Sequence, residues 1–165
     1  MGSPLNTQQF LVLPITLDWA SAAARVYHDA WHETQAPLQD PRITSFRNIG
    51  FFEKRVGASR DSALVATDGK LCLGYAGWTG NRLDYLFVRK DKRGLGIGRA
   101  LAHEATGIVK KNGFNKLYLD CIAGNIQART FYEREGWTLK FTETKPVQYA
   151  DGFLDCEAWV FVKDV

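Results

Sequence analysis

The sequence predicts one α+β domain over residues 1–165: a mixed, mainly antiparallel sheet of about seven strands with helices on both faces. Three observations lead there. The chain has 165 residues, 45% of them hydrophobic, which suits one buried core and is too little for two comfortable domains. Its apolar pattern changes repeatedly between helical spacing and short extended runs. No internal repeat, low-complexity tract or linker composition divides it.

In chain order, "FLVLPI" (residues 10–15) predicts a first strand, and Asp18 offers the N-cap of a helix. In "DWASAAARVYHDAWHETQ", Trp19, Ala22, Ala23, Val26, Tyr27, Ala30 and Trp31 form one apolar stripe at helical spacing. Pro37 and Pro41 interrupt the chain, and a second helix is expected over residues 43–56, carrying Phe46, Ile49 and Phe52. "SALVAT" and "LCLGYAGWT" are extended apolar runs joined through Asp68-Gly69, and Gly80-Asn81 leads tightly into "RLDYLFV". Three strands on short turns predict an antiparallel meander. Ile97, Leu101, Ala105, Ile108 and Val109 then line a helix that ends near Asn112-Gly113. "KLYLDC" reads as a strand, "IQARTFYERE" as a helix and "WTLKFTE" as a strand. After a loop containing Gly and Asp, "CEAWVFV" is the final strand.

Charged residues make up 24% of the chain and the formal net charge is +3, a balance unlike that of a disordered or strongly nucleic-acid-binding chain. "MGSPLNTQQF" lacks the basic segment, apolar run and cleavage site of a signal peptide, and no apolar stretch approaches the ~20 residues of a membrane span. Cys72, Cys121 and Cys156 are too scattered for a disulfide framework or metal knuckle and read as free thiols in a reducing compartment. A soluble cytoplasmic protein, without nucleic-acid or membrane partners, is expected.

The most informative stretch is "KDKRGLGIGRAL", residues 91–102. Alternating glycines open a helix, with Arg89, Lys90, Lys92, Arg93 and Arg99 close by. A helix N-terminus has unsatisfied N–H groups and about half a positive charge, so bare backbone beside basic residues favours an anion, above all a phosphate. A dinucleotide fingerprint starting at Gly94 would need glycine or alanine at Arg99, and would follow its strand at once, whereas residues 89–93 intervene. The Gly-Lys-Ser/Thr of a Walker loop is absent.

"RGLGIG" instead resembles the Arg/Gln-x-x-Gly-x-Gly/Ala pattern of the GNAT superfamily of N-acetyltransferases, with Arg93, Gly96 and Gly98 in the defining places. Downstream, "NIQARTFYEREGW" is similar to that family's Asn-x-x-Ala-x-x-x-Tyr-x-x-x-Gly-Phe segment, through Asn125, Ala128, Tyr132 and Gly136, with Trp137 in place of Phe. The motif resemblance covers residues 82–137. It implies acetyl-CoA as co-substrate and no metal. The backbone N–H groups of Gly94, Leu95, Gly96, Ile97, Gly98 and Arg99 would hold the diphosphate, with Arg93 shaping the loop. The pantetheine arm would lie along the backbone of Leu86, Phe87 and Val88, in a slot opened where the strand at residues 82–88 splays from that at residues 116–121. Asn125 would bond the polar groups of the arm.

The resemblance further implies direct acyl transfer to a primary amine. The amine must lose a proton, the carbonyl oxygen needs a donor (the Val88 N–H), and the leaving thiolate benefits from an acid. Tyr132 occupies the family's acid position, and a phenol with pKa near 10 is protonated at neutral pH. A glutamate position common in the family falls on Arg82, which cannot act as a base. Asp84, two residues on and on the same side if no bulge intervenes, is the candidate for base, water-holding or amine-binding group. A non-catalytic acyl-CoA sensor or scaffold is the alternative on the same motifs. Dimerisation is common in the family.

The acceptor, a small-molecule or peptide amine, is left open among polyamines, amino acids, aminoglycosides and protein lysines or N-termini. Residues 31–40 and the loop at 145–155 would wall its site, with Trp31, Glu33, Trp78, Tyr85, Tyr149 and Asp151 as an aromatic, acidic cleft. "HDAWH" has the histidine spacing of a zinc helix, but His28, Asp29 and His32 fall on the polar side of the stripe and no third ligand is apparent.

Overall fold

The computed structural model describes residues 9–165; the opening "MGSPLNTQ", read above as lacking a leader pattern, lies outside them. The strands are β1 (Leu11–Pro14), β2 (Ala63–Thr67), β3 (Cys72–Thr79), β4 (Arg82–Val88), β5 (Lys116–Ile122), β6 (Thr138–Tyr149) and β7 (Gly152–Asp164). They form one 7-stranded sheet in the order β1-β2-β3-β4-β5-β7-β6, antiparallel throughout except for the parallel pair β4–β5. The helices are α1 (Leu17–Thr34), α2 (Pro41–Phe46), α3 (Ile49–Ala58), α4 (Ile97–Lys111) and α5 (Ile126–Arg134). None of the described helices is long and apolar enough to cross a membrane.

Strand alternation divides the core in two. Leu64 and Ala66 of β2 join Leu73 and the apolar face of α4, Ile97, Leu101, Ala105 and Val109. Val65 and Tyr75 face the other way and pack against Ala23, Tyr27 and Trp31 of α1 and Phe52 of α3. Each fully buried large side chain contributes about 1.5–3 kcal/mol on burial, so both layers hold the sheet firmly wherever strands are paired.

Three expectations are corrected. Asp18 sits in the first turn of α1 rather than at its cap, which Thr16 occupies without a side-chain bond; Asp18 still complements the helix dipole. The single helix expected over residues 43–56 is two, because Asn48 caps α3 by accepting the Phe51 N–H at 3.1 Å and Arg47 leaves helical geometry with ψ of 67°. The loop expected at 145–155 is the closed end of the β6–β7 hairpin, whose pairing runs out to Tyr149↔Gly152.

Candidate active site

The sheet opens between β4 and β5. Their ladder holds one register pair, Arg82↔Tyr118, supported by the Tyr118 N–H donating to Asn81 O at 2.9 Å. β5 meanwhile pairs with β7 along its whole length, from Lys116↔Asp164 to Ile122↔Ala158. A bulge at Asp84 steps the β3–β4 register from Gly77↔Tyr85 to Trp78↔Leu83, and such a bulge bends its strand. The expected slot is therefore present, as a cavity of about 830 Å³ between β4, the start of α4 and α5.

The β4 edge in this slot has defined hydrogen-bonding character. Arg89 N–H donates to Leu73 O at 2.9 Å, so alternation aims the N–H and C=O of Phe87 at β3 and those of Leu86 and Val88 at the opening. Phe87 instead contributes its ring, stacked on Tyr27 with centroids 4.6 Å apart.

Arg93 fixes the loop that follows. Its Nε donates to Val88 O at 3.3 Å, and its two terminal nitrogens hold Glu33 of α1 at 3.0 and 2.6 Å. The Arg93 bond outweighs burial, which acts the other way, and holds the Glu33 carboxyl below its usual range. Gly94 and Gly96 follow with φ of 77° and 84°, a left-handed backbone that favours glycine. A Cβ at either would meet no atom within 4 Å, so the space over the loop is open. Gly96 caps α4 without a side-chain bond and no acidic residue stands in the first turn, which leaves the helix N–H groups available to an outside anion. At Gly98 a Cβ would lie 3.5–3.6 Å from Phe131 and Val88, an ordinary contact distance, so the packing there would accept a methyl group. The Arg99 side chain is exposed and lies 3.4 Å from Glu135.

Asn125 is buried and caps α5, its Oδ1 accepting the Ala128 N–H at 3.2 Å; its amide nitrogen remains a donor at the cavity wall. Tyr132, further along α5, packs its ring against Trp137 and Phe161 and also lines the cavity. Burial raises its phenol above the ordinary value, so it stays protonated. Asp84 accepts from Thr79 Oγ1 at 2.7 Å and stands 3.5 Å from Arg82 Nε. Burial is the largest effect on its carboxyl and raises it. The bulge centred on Asp84 thus leaves it beside Arg82, as expected without one.

A second cavity, of about 420 Å³, shares Asp84, Tyr85, Asp120 and Cys121 with the first. Asp120 accepts from both Arg82 and Lys145. It was not singled out from sequence, although alternation in "KLYLDC" turns it away from buried Leu117, Leu119 and Cys121. Gln39 and residues 145–148 of the expected walls line this space, but of the six side chains expected in the cleft only Tyr85 does. Trp31 and Trp78 are 1% and 6% exposed core residues, Glu33 is held by Arg93, and Tyr149 lies under the Arg42 guanidinium. Asp151 sits in the exposed turn of the β6–β7 hairpin.

The histidine pair is also placed differently from expectation. His28 and His32 stack with centroids 4.4 Å apart and both pack on Phe52, while His32 Nε2 bonds Arg47 O at 2.7 Å. No cluster of three metal-ligating side chains occurs among the described residues.

Comparison with known proteins places this geometry. The model of the acetyltransferase (GNAT) family matches residues 23–137, and the chain belongs to that family of acyltransferases. No curated protein sequence matches it. Several solved structures share its fold. The PaiA N-acetyltransferase from Thermoplasma acidophilum, in complex with coenzyme A, is 15% identical with a TM-score of 0.70, over 94% of this chain and 99% of that one. The putative acetyltransferase yncA from Salmonella typhimurium, with its cofactor acetyl-CoA, is 14% identical with a TM-score of 0.70, over 94% and 93%. A ribosomal-protein-alanine N-acetyltransferase from Brucella melitensis is 20% identical with a TM-score of 0.66, over 94% and 99%.

Proposed function

We propose that the chain is an acetyl-CoA-dependent N-acetyltransferase acting on a primary amine by direct attack in a ternary complex. One observation carries this reading: a single cavity joins the free backbone edge of β4, the uncapped start of α4 and the Tyr132 phenol. Family membership and the acyl-carrier complexes of two neighbours support the same co-substrate.

In this reading the N–H groups of residues 94–99 hold the diphosphate, the Leu86 backbone and the Val88 carbonyl bond the pantetheine amides, and the Asn125 amide nitrogen donates to the same arm. The amine gives up a proton to Asp84, directly or through water. Its nitrogen then bonds the acetyl carbon while the carbon–sulfur bond breaks. The Val88 N–H stabilises the charge on oxygen, Tyr132 protonates the departing thiolate, and the second proton leaving the acylated nitrogen restores the Tyr132 phenol. A covalent route through Cys121 is disfavoured, because burial first, and then Asp120, push that thiol up to about 12.

The test is coenzyme A thiol release from acetyl-CoA across polyamines, amino acids, aminoglycosides and peptides. One amine class should accelerate release, and Tyr132→Phe should lower kcat by about 10²-fold or more while leaving the acetyl-CoA Kd in place. Tight acetyl-CoA binding with no release for any amine would make the chain an acyl-CoA sensor or scaffold instead.

A further inference from the structure

The smaller cavity holds two cations with no counter-ion. Arg47 is 9% exposed, its guanidinium packed over Trp31 at 4.6 Å and Phe51 at 4.8 Å, and its Nε has no hydrogen-bond partner among the described residues. Trp31 Nε1 and Tyr75 Oη are also buried without a partner among the described residues, but of the three only Arg47 carries a charge. Arg55 lines the same cavity, donates to Tyr27 Oη at 3.0 Å and lies over Phe51 at 4.5 Å. Of the cavity's three strand carboxylates, Asp84 is committed to Thr79 and Arg82 and Asp120 to Arg82 and Lys145, while Glu157 of β7 makes no ion pair with either arginine. No carboxylate of the described residues comes within ion-pair distance of Arg47 or Arg55.

A buried cation without a partner is costly, and a second cation beside it adds to the cost. Burial is the first cause, and Arg55 the second, of the fall of the Arg47 guanidinium to about 10. The arrangement has a local architecture. The break between α2 and α3 sets Arg47 there, and His32 fixes its carbonyl at 2.7 Å. Aromatic faces flank its guanidinium, whose planar fork suits a two-oxygen anion.

We propose that the acceptor amine also carries a carboxylate, which Arg47 and Arg55 bind while its amine meets Asp84 where the two cavities join. This rests on the transferase reading above. The acceptor is then a small zwitterion of amino-acid size, in keeping with a cavity of about 420 Å³. A monoanion balances the site better than a phosphate dianion, because Asp84, Asp120 and Glu157 line the same space.

Thiol release is compared for amino acids, their carboxamides and aminoalkyl phosphates, with wild type, Arg47→Met and Arg55→Gln; acetyl-CoA Kd serves as the folding control. Wild type should prefer carboxylate over carboxamide by about 100-fold in kcat/KM, and the ratio should fall toward one in each variant. If Arg47→Met does not fold, Arg55→Gln gives the same readout. A wild-type ratio near one, or a ratio kept in the folded variants, overturns the proposal, as does a phosphate preference that the variants abolish. If no amine releases thiol, the transferase reading fails and the anion site is judged by equilibrium binding of N-acetyl amino acids and their amides. Carboxylate-dependent binding lost in the variants then upholds the site, and its absence overturns it.

Discussion

Asp84 is held where ionisation is disfavoured. Burial raises its carboxyl, against the opposing Thr79 bond and Arg82 charge. A folded-state pKa above the unfolded one means the native state binds this proton more tightly. The contribution to stability is full below the ordinary carboxylate pKa and is lost as pH rises through the raised value. Asp84→Asn cannot ionise, so it should melt higher than wild type at pH 8 and lose that advantage in acid. If Asp84 takes the amine proton, the same change lowers kcat by about 10²-fold and removes the raised acidic limb of the pH–rate profile. An unmoved profile would send the proton through water and leave Asp84 as a partner of Arg82. Asp84 and Tyr132 could be named as candidates from the sequence because they stand at fixed offsets from a recognisable loop and helix. Arg47 and Arg55 were not, since an unpaired arginine differs from a solvated one only in what surrounds it.

Among the elements, the turn into α4 carries the greatest demand on backbone shape. Gly96 has φ of 84° and open space around a would-be Cβ, so alanine there meets backbone strain without a clash. The left-handed penalty is about 1–2 kcal/mol, which for a chain of this size lowers Tm by roughly 2–4 °C per kcal/mol. Gly96→Ala should show that loss together with a weaker acetyl-CoA Kd, about tenfold, because relief of the strain turns the loop N–H groups. Gly57→Ala in α3, equally open and without a positive φ, should keep the Kd unchanged. Equal Kd values in both variants would detach the loop from binding. The glycine pattern announced this turn, whereas the α2–α3 break was masked by Phe46, Ile49 and Phe52, whose spacing reads through it. Asn48, a cap-forming residue in mid-run, was the available signal. The outer half of β6 was read as loop because its polar, Pro146-containing run alternates half-buried with exposed residues, and Val147 and Tyr149 only border the core.

Across the whole molecule, two packed layers hold a sheet that is deliberately incomplete at one seam. The order of elements was visible from periodicity, but the parting of β4 and β5 is a matter of pairing, which composition does not encode; the motif resemblance alone implied it. All the chemistry proposed here depends on that seam accepting an outside chain as a substitute strand and on the adjoining loop holding its diphosphate. Amide hydrogen exchange, with and without saturating coenzyme A, tests this most directly. Exchange should slow at Leu86 and Val88 and across residues 94–99, while Phe87, already bonded to β3, changes little. Saturated binding that leaves those amides exchanging as before would contradict the account.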